Sequence, residues 1–215
     1  MARKADLTET GSESVMIHIL PGMGADHTMF SGPAWHGIAG ASFLDWPAYH
    51  GETTIAAIAD RVIAEAAIAD GATLIGVSLG GIVACEIAKK RRLKALVLIG
   101  SAIHAQEVSR LLATLRPLAQ YAPIEFVQRA VGKVPDDVVA MFARGDPGFI
   151  RAACRAIFDW DGCDAARITP VRIHGTRDHM IPMPANVDLA LDGGHLVAMT
   201  HADQCVAFLR QQRLV

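Results

Sequence analysis

The stretch Thr73-Leu74-Ile75-Gly76-Val77-Ser78-Leu79-Gly80-Gly81, running on into Ile82-Val83-Ala84-Cys85-Glu86-Ile87-Ala88, decides how the rest of the chain is read. It predicts a short buried apolar strand, a sharp turn carrying one serine, and a helix. A serine hydroxyl is a weak nucleophile at its free pKa, so a protein that uses one must present it on a rigid point within reach of a base. A Gly-x-Ser-x-Gly turn does this by holding the serine in a strained backbone conformation. The strain is tolerable only where the residues two before and two after lack bulk, and here those are Gly76 and Gly80. The helix opening after Ser78 aims unpaired N–H groups and its positive dipole end at the same point, where they suit a developing oxyanion. The N–H of Leu79 comes first. The plain alternative is a glycine-punctuated turn whose serine only caps the helix. The buried strand before the motif and the helix after it favour the nucleophile.

A chain of 215 residues with 52% apolar content fits one domain. Mean hydropathy is +0.30, yet no apolar run approaches the length of a membrane span, so the surplus is expected inside and no membrane partner is expected. Residues 1–13 read as a flexible polar tail, with no apolar core of a secretory signal; export is not expected, and a cytoplasmic location is. The four cysteines, Cys85, Cys154, Cys163 and Cys205, are widely spaced and show no Cys-x-x-Cys pairing. They read as reduced, small apolar residues. A net charge of −2 argues against nucleic acid as a partner. The dense basic run Lys89-Lys90-Arg91-Arg92 ends the helix that starts at Ser78, on the far side of the sheet, and reads as a solvated cap rather than a substrate clamp.

Taken in order, Val15–Leu20 reads as a buried strand stopped by Pro21-Gly22-Met23-Gly24, Ala41–Trp46 as a second strand ended by Pro47, and Thr54–Ala69 as a helix. After the serine strand and its helix come a strand at Lys94–Gly100, strands at Val171–Gly175 and Val187–Leu191, and a last helix over about Leu196–Gln212. This alternation predicts an α/β domain over residues 14–215, with a mostly parallel sheet of about six strands and helices on both faces. Between about residues 102 and 165 the pattern is helical and cut by Pro117, Pro123, Pro135 and Pro147, which predicts a small lid above the C-terminal strand ends.

Active sites of open parallel sheets lie at the carboxyl ends of the strands, which restricts the partners of Ser78 to loops leaving a strand. The strand at Val171 leads into Gly175-Thr176-Arg177-Asp178-His179-Met180-Ile181-Pro182, and the next leads into Asp192-Gly193-Gly194-His195. The order is Ser78, then Asp178, then His195.

With Leu20-Pro21-Gly22-Met23-Gly24, Gly76-Val77-Ser78-Leu79-Gly80-Gly81, the stretch His174–Pro182 and Gly193-Gly194-His195 together, the chain resembles the α/β-hydrolase superfamily. Its likeness is to the small single-domain esterase-like members. It departs from them in having Pro21-Gly22 where His-Gly is frequent, which alters the support of the oxyanion loop but leaves its N–H donors. The resemblance implies Ser78 as nucleophile, His195 as general base and acid, and Asp178 as the carboxylate that orients the imidazole. It also implies an oxyanion hole from the backbone N–H groups of Met23 and Leu79. It implies hydrolysis of a small, largely apolar carboxylic ester without cofactor; acyl transfer or thioester cleavage by the same three side chains is the alternative, and a ligand-binding module without turnover a third reading.

Among nine histidines, His195 has the turn and the position of a base. His201 and His179 read as packing or surface residues, His18 and His174 as satisfied core or rim residues, and His27, His36 and His50 as loop residues. Asp45 and Asp192 read as structural carboxylates. No histidine pair has metal-ligand spacing with an acid or cysteine, so no metal is expected. Met29, Phe30, Trp46, His104 and Met180, with Trp160, are the candidates for a pocket wall, against the plainer reading that most of them seal the core. Nothing in the pattern sets an oligomeric state.

Overall fold

Alternate residues of each central strand are apolar on both sides, and a strand of that kind is stable only with a layer packed on each face. The computed structural model describes residues 16–109, 141 and 144–215. Six strands form one parallel sheet: β1 (Ile17–Leu20), β2 (Ala41–Phe43), β3 (Thr73–Val77), β4 (Ala95–Ile99), β5 (Val171–Gly175) and β6 (Leu189–Leu191), in the order β2-β1-β3-β4-β5-β6. Leu20, Leu74, Leu96 and Leu98 face one core, which is closed by α2 (Ile55–Glu65), α3 (Leu79–Lys90) and α4 (Pro147–Ala156). Ile19, Ile75, Val97, Ile99 and Ile173 face the other, closed by α1 (Pro33–His36), α5 (Val197–Thr200) and α6 (Ala202–Gln211). The fold is the α/β sheet expected, with helices on both faces.

The α3 helix is buried from Leu79 to Ala88, on every face, and it owes this to small residues where it meets the sheet. Its basic end is less free than a solvated cap. Lys89 pairs with Glu86 and Asp161, Lys90 with Asp60, Arg92 with Asp70, and Arg91 donates to the Ile68 carbonyl. The central position of β3 matters most for the site. Gly76 lies beside Leu20 of β1 and Val77 beside Ile99 of β4, so the loops leaving β1 and β4 flank the turn that follows β3.

Several element boundaries differ from the sequence reading. The α2 helix stops at Glu65 because the chain turns through Ala67 at φ +49°, and the N–H of Ile68 then donates to the Ile63 carbonyl at 3.1 Å. This is a Schellman closure, and it folds Ile68 onto the core. β2 ends at Phe43 and β6 begins at Leu189; Asp188 ahead of β6 bonds Arg172 through both its N–H and its carboxylate. The final helix is two, since Thr200 bonds back to the Leu196 carbonyl and His201 leaves helical geometry at φ −128°. The expected tail over residues 1–13 and the central part of the lid lie outside the described residues. Of the lid, the described portions are a 3-10 turn at Ala105–Glu107, α4, and a second 3-10 turn at Ile157–Asp159. Among the described residues no helix is long and apolar enough to cross a membrane.

His18 on β1 departs from the reading of a satisfied core residue. It is buried, and neither ring nitrogen meets a partner among the described residues. Burial holds its pKa below the ordinary 6.5. The folded protein therefore binds this proton less readily than the unfolded chain, so stability is full above about pH 6.5 and declines as pH falls through that value. His18→Leu removes an orphaned polar group and is expected to raise stability by about 1 kcal/mol at pH 8, with a larger gain at pH 5. Thermal melts at the two pH values check this; an equal gain at both would mean that folding leaves the protonation of His18 unchanged.

Candidate active site

Ser78 sits at φ 52° and ψ −119° between β3 and α3. A non-glycine residue in this region carries about 1–3 kcal/mol of strain, which persists only when its surroundings enforce it. They do. The Ser78 N–H donates to the Ile99 carbonyl at 3.0 Å, and the Ser78 carbonyl accepts from the N–H of Gly81 at 3.0 Å and from the hydroxyl of Ser101 at 2.7 Å. A Cβ on Gly76 would overlap the Gly80 carbonyl and the Gly81 nitrogen, and one on Gly80 would stand 2.7 Å from the Leu20 carbonyl oxygen. The two glycines are thus required by close backbone approach. The serine hydroxyl makes no capping bond to the helix, so the capping alternative does not describe it.

The imidazole of His195, from the loop after β6, has Nε2 2.9 Å from Ser78 Oγ and Nδ1 2.8 Å from Asp178 Oδ2. Asp178, from the loop after β5, is buried, and its Oδ1 accepts the N–H groups of Met180 and Ile181 at 2.9 Å each. Burial pushes this carboxyl up. Hydrogen bonds from His174 and His195 and the backbone N–H of Ile181 overcome it and hold the pKa well below the usual carboxylate range. An ionised Asp178 accepts only, so it accepts a hydrogen bond from the Nδ1–H of His195, which leaves Nε2 without a proton toward the Ser78 hydroxyl. Asp192, by contrast, is exposed and paired with Arg177 at 2.9 Å.

Sequence reading missed the second histidine on the acid. His174 Nε2 lies 2.7 Å from the Ile181 carbonyl and 3.3 Å from Asp178 Oδ2. Both neighbours are acceptors, so this nitrogen carries its proton. The position just ahead of the Asp178 loop was the only available signal. Also missed was a buried polar chain under the serine: Ser101, whose carbonyl accepts from Arg172 at 3.2 Å, and Arg172, which forks onto Glu107 at 3.0 and 2.7 Å. An arginine inside Val171-Arg172-Ile173 was its sequence trace.

The loop after β1 passes close to the serine: a Cβ on Gly22 would stand 3.7 Å from Ser78 Cβ. The loop is a four-residue turn in which the Ala25 N–H donates to the Gly22 carbonyl at 3.1 Å and Gly24 adopts φ +69°, a value glycine takes without strain. Trp46 Nε1 donates to the same Gly22 carbonyl at 2.9 Å, and the Gly22 N–H points to Met29 Sδ at 3.4 Å. Among the described residues no acceptor takes the N–H of Met23 or of Leu79.

The other candidates scatter. Met29 and Phe30 are 4% and 1% exposed and pack with Trp35 in the core on the far face of the sheet, a correction to their place on a pocket wall: Met29 acts beneath the loop through its sulfur. Trp46 and Met180 are half-buried. His104 is exposed, and its ring lies where a Cβ on Gly162 would stand. Trp160 is buried and donates to Glu86 at 3.1 Å. His27, read as a loop residue without a partner, lies 2.9 Å from Asp45. None of the four cysteines forms a disulfide among the described residues, and among those residues no cluster of three His, Cys, Asp or Glu offers a metal site.

A parallel six-stranded sheet with a serine on a strained strand-to-helix turn, backed by a histidine and a buried carboxylate, defines a hydrolase of the α/β class. The chain belongs to the alpha/beta hydrolase family, whose profile matches residues 15–208. No protein of curated function matches it in sequence. Solved structures share the fold at low identity. A thermophilic esterase from Thermogutta terrifontis is 17% identical over 93% of this chain and 90% of its own, with a TM-score of 0.67. The N-acyl homoserine lactonase AidH, complexed with N-butanoyl homoserine, is 15% identical over 93% and 88% at 0.69. The type II thioesterase BorB from the borrelidin biosynthetic cluster is 16% identical over 93% of each chain at 0.62.

Proposed function

We propose that the protein is a serine hydrolase that cleaves small, largely apolar carboxylic esters through an acyl-enzyme on Ser78. The observation that carries this reading is the unbroken series from Asp178 through His195 to Ser78 Oγ, at 2.8 and 2.9 Å. Ser78 Oγ attacks the ester carbonyl while its proton passes to His195 Nε2, and Asp178 steadies the imidazolium through Nδ1. The oxyanion is held by the N–H groups of Met23 and Leu79, donors worth about 3–4 kcal/mol each in comparable sites. Collapse expels the alcohol, protonated by His195, and water then attacks the acyl-enzyme by the same route to release the acid. Half-buried Met23, in the loop that passes Ser78, and Trp46, bonded to that loop, support an apolar substrate.

The test is a panel of chromogenic esters and matching thioesters graded by acyl length, with and without an added alcohol. Ester hydrolysis with product going to water is the expected result. Faster thioester cleavage, or partition to the alcohol over water, would move the assignment to a thioesterase or an acyltransferase. Absence of both turnover and stoichiometric labelling by a serine-directed phosphonate would leave a binding module.

A further inference from the structure

We infer that Trp46 is a positioning residue of the oxyanion hole: its indole N–H holds the Gly22 carbonyl and so aims the Met23 N–H at the reacting carbonyl. The inference rests on the proposed role of Ser78 and Met23. A peptide unit is planar and trans, so the Gly22 carbonyl and the Met23 N–H lie in one rigid plane and point in opposite directions. Whatever anchors the carbonyl also sets the direction of the N–H. Two donors anchor it, the Ala25 N–H within the turn at 3.1 Å and Trp46 Nε1 from the loop after β2 at 2.9 Å. The first is local to the turn and moves with it. The second ties the turn to a different loop, the one that follows β2, and Pro21 ahead of the turn has no polar side chain to do so.

The indole also has aromatic neighbours. Phe149 of α4 lies against it with ring centroids 5.1 Å apart, and Phe149 also meets Tyr49 at 6.4 Å. The same lid segment touches the loop directly: Cys154 Sγ lies 3.5 Å from Met23 Sδ, and a Cβ on Gly145 would stand 3.0 Å from Gly24 Cα. Trp46 therefore belongs to the support of the loop, and its placement explains how an aromatic residue in the loop after β2 serves the reaction without touching the substrate's reacting atoms.

Trp46→Phe keeps a ring against Phe149 and deletes the bond to Gly22. Misaiming a preorganised donor by a fraction of an ångström is expected to lower kcat about 10–100-fold, with KM for the best ester of the panel changed less than about 3-fold. Affinity for a trifluoromethyl ketone, whose adduct carries the oxyanion, is expected to fall in parallel with kcat. Phe149→Leu leaves the indole bond in place and is expected to keep kcat within about 3-fold of the native value. An equal loss of kcat in Phe149→Leu would assign the effect to packing of that corner and overturn the inference, as would a native kcat in Trp46→Phe. Should Trp46→Phe fail to fold, amide spectra of the native chain take its place. On adding the ketone, the Met23 amide resonance is expected to shift while the Trp46 indole proton stays protected from exchange; a freely exchanging indole proton would overturn the inference. Ser78→Ala separates the two levels: turnover surviving there refutes the parent reading, whereas inactive Ser78→Ala beside fully active Trp46→Phe refutes the positioning role alone.

Discussion

Ser78→Ala is expected to lower turnover of every ester the native protein hydrolyses by about 10⁴-fold or more, because in the proposed mechanism losing the nucleophile of a coupled serine–histidine pair forfeits the whole covalent route and leaves only binding and the oxyanion donors. The fold should survive. The hydroxyl makes no helix-capping bond, and the bonds that pin this residue to Ile99, Gly81 and Ser101 come from its backbone. Among the described residues Oγ meets His195 alone. An inactive protein with an almost unchanged melting temperature is thus the expected pair of results. Ser78→Gly should be equally inactive and more stable, since glycine adopts φ 52° without the cost that serine bears there. Retained turnover in Ser78→Ala would remove Ser78 from the chemistry altogether.

The second large effect is at the acid. Asp178→Asn is expected to cost about 10⁴-fold in kcat, whereas Asp192→Asn should stay within a few-fold of native. Asp178 accepts four donors, the N–H groups of Met180 and Ile181 and the rings of His195 and His174. An amide in its place turns one acceptor end into a donor. Turned toward His195, that end favours the tautomer with the proton on Nε2, which cannot accept from Ser78; turned the other way, it faces two backbone N–H groups. Asp192 is exposed and engaged with Arg177, so its charge reaches neither ring. Near-native rates in Asp178→Asn would transfer the orienting role elsewhere. The same variant has a signature in stability. The native carboxyl is held below its ordinary pKa, so the stability it contributes is fully present above the unfolded value of about 3.9 and is lost as pH falls below it. Acid unfolding of Asp178→Asn should accordingly begin from a lower plateau and fall less steeply below pH 4.

How much of this was legible beforehand depended on how local the information was. The strand, turn and helix around Ser78 are written within one short stretch, in glycines that a backbone approach requires and in apolar residues that a two-sided sheet requires. The loops after β5 and β6 could be singled out because parallel sheets present their chemistry at one edge. The shortfall came where a partner arrives from far along the chain. Val187–Leu191 reads as one strand by apolar content, yet Asp188 is taken by Arg172. Thr54–Ala69 reads as one helix, yet the core draws Ile68 back through a left-handed Ala67. Met29 and Phe30 leave a strand end and look like pocket residues, but the short helices over the far face enclose them. His27 and Asp45, each unremarkable alone, meet across two loops.

By itself, then, the order of residues determined the parallel sheet, the elbow with its two obligatory glycines, and which two loops carry an acid and a histidine after it. These follow from periodicity and backbone sterics, which act over a few neighbouring positions. Only the tertiary structure decided that His195 comes 2.9 Å from Ser78 Oγ, that Asp178 is shared with His174, and that the indole of Trp46 reaches the Gly22 carbonyl. Those are hydrogen bonds between segments brought together by sheet order and core packing, and a hydrogen bond depends on distance and direction to within tenths of an ångström, a precision that no local pattern of residues encodes.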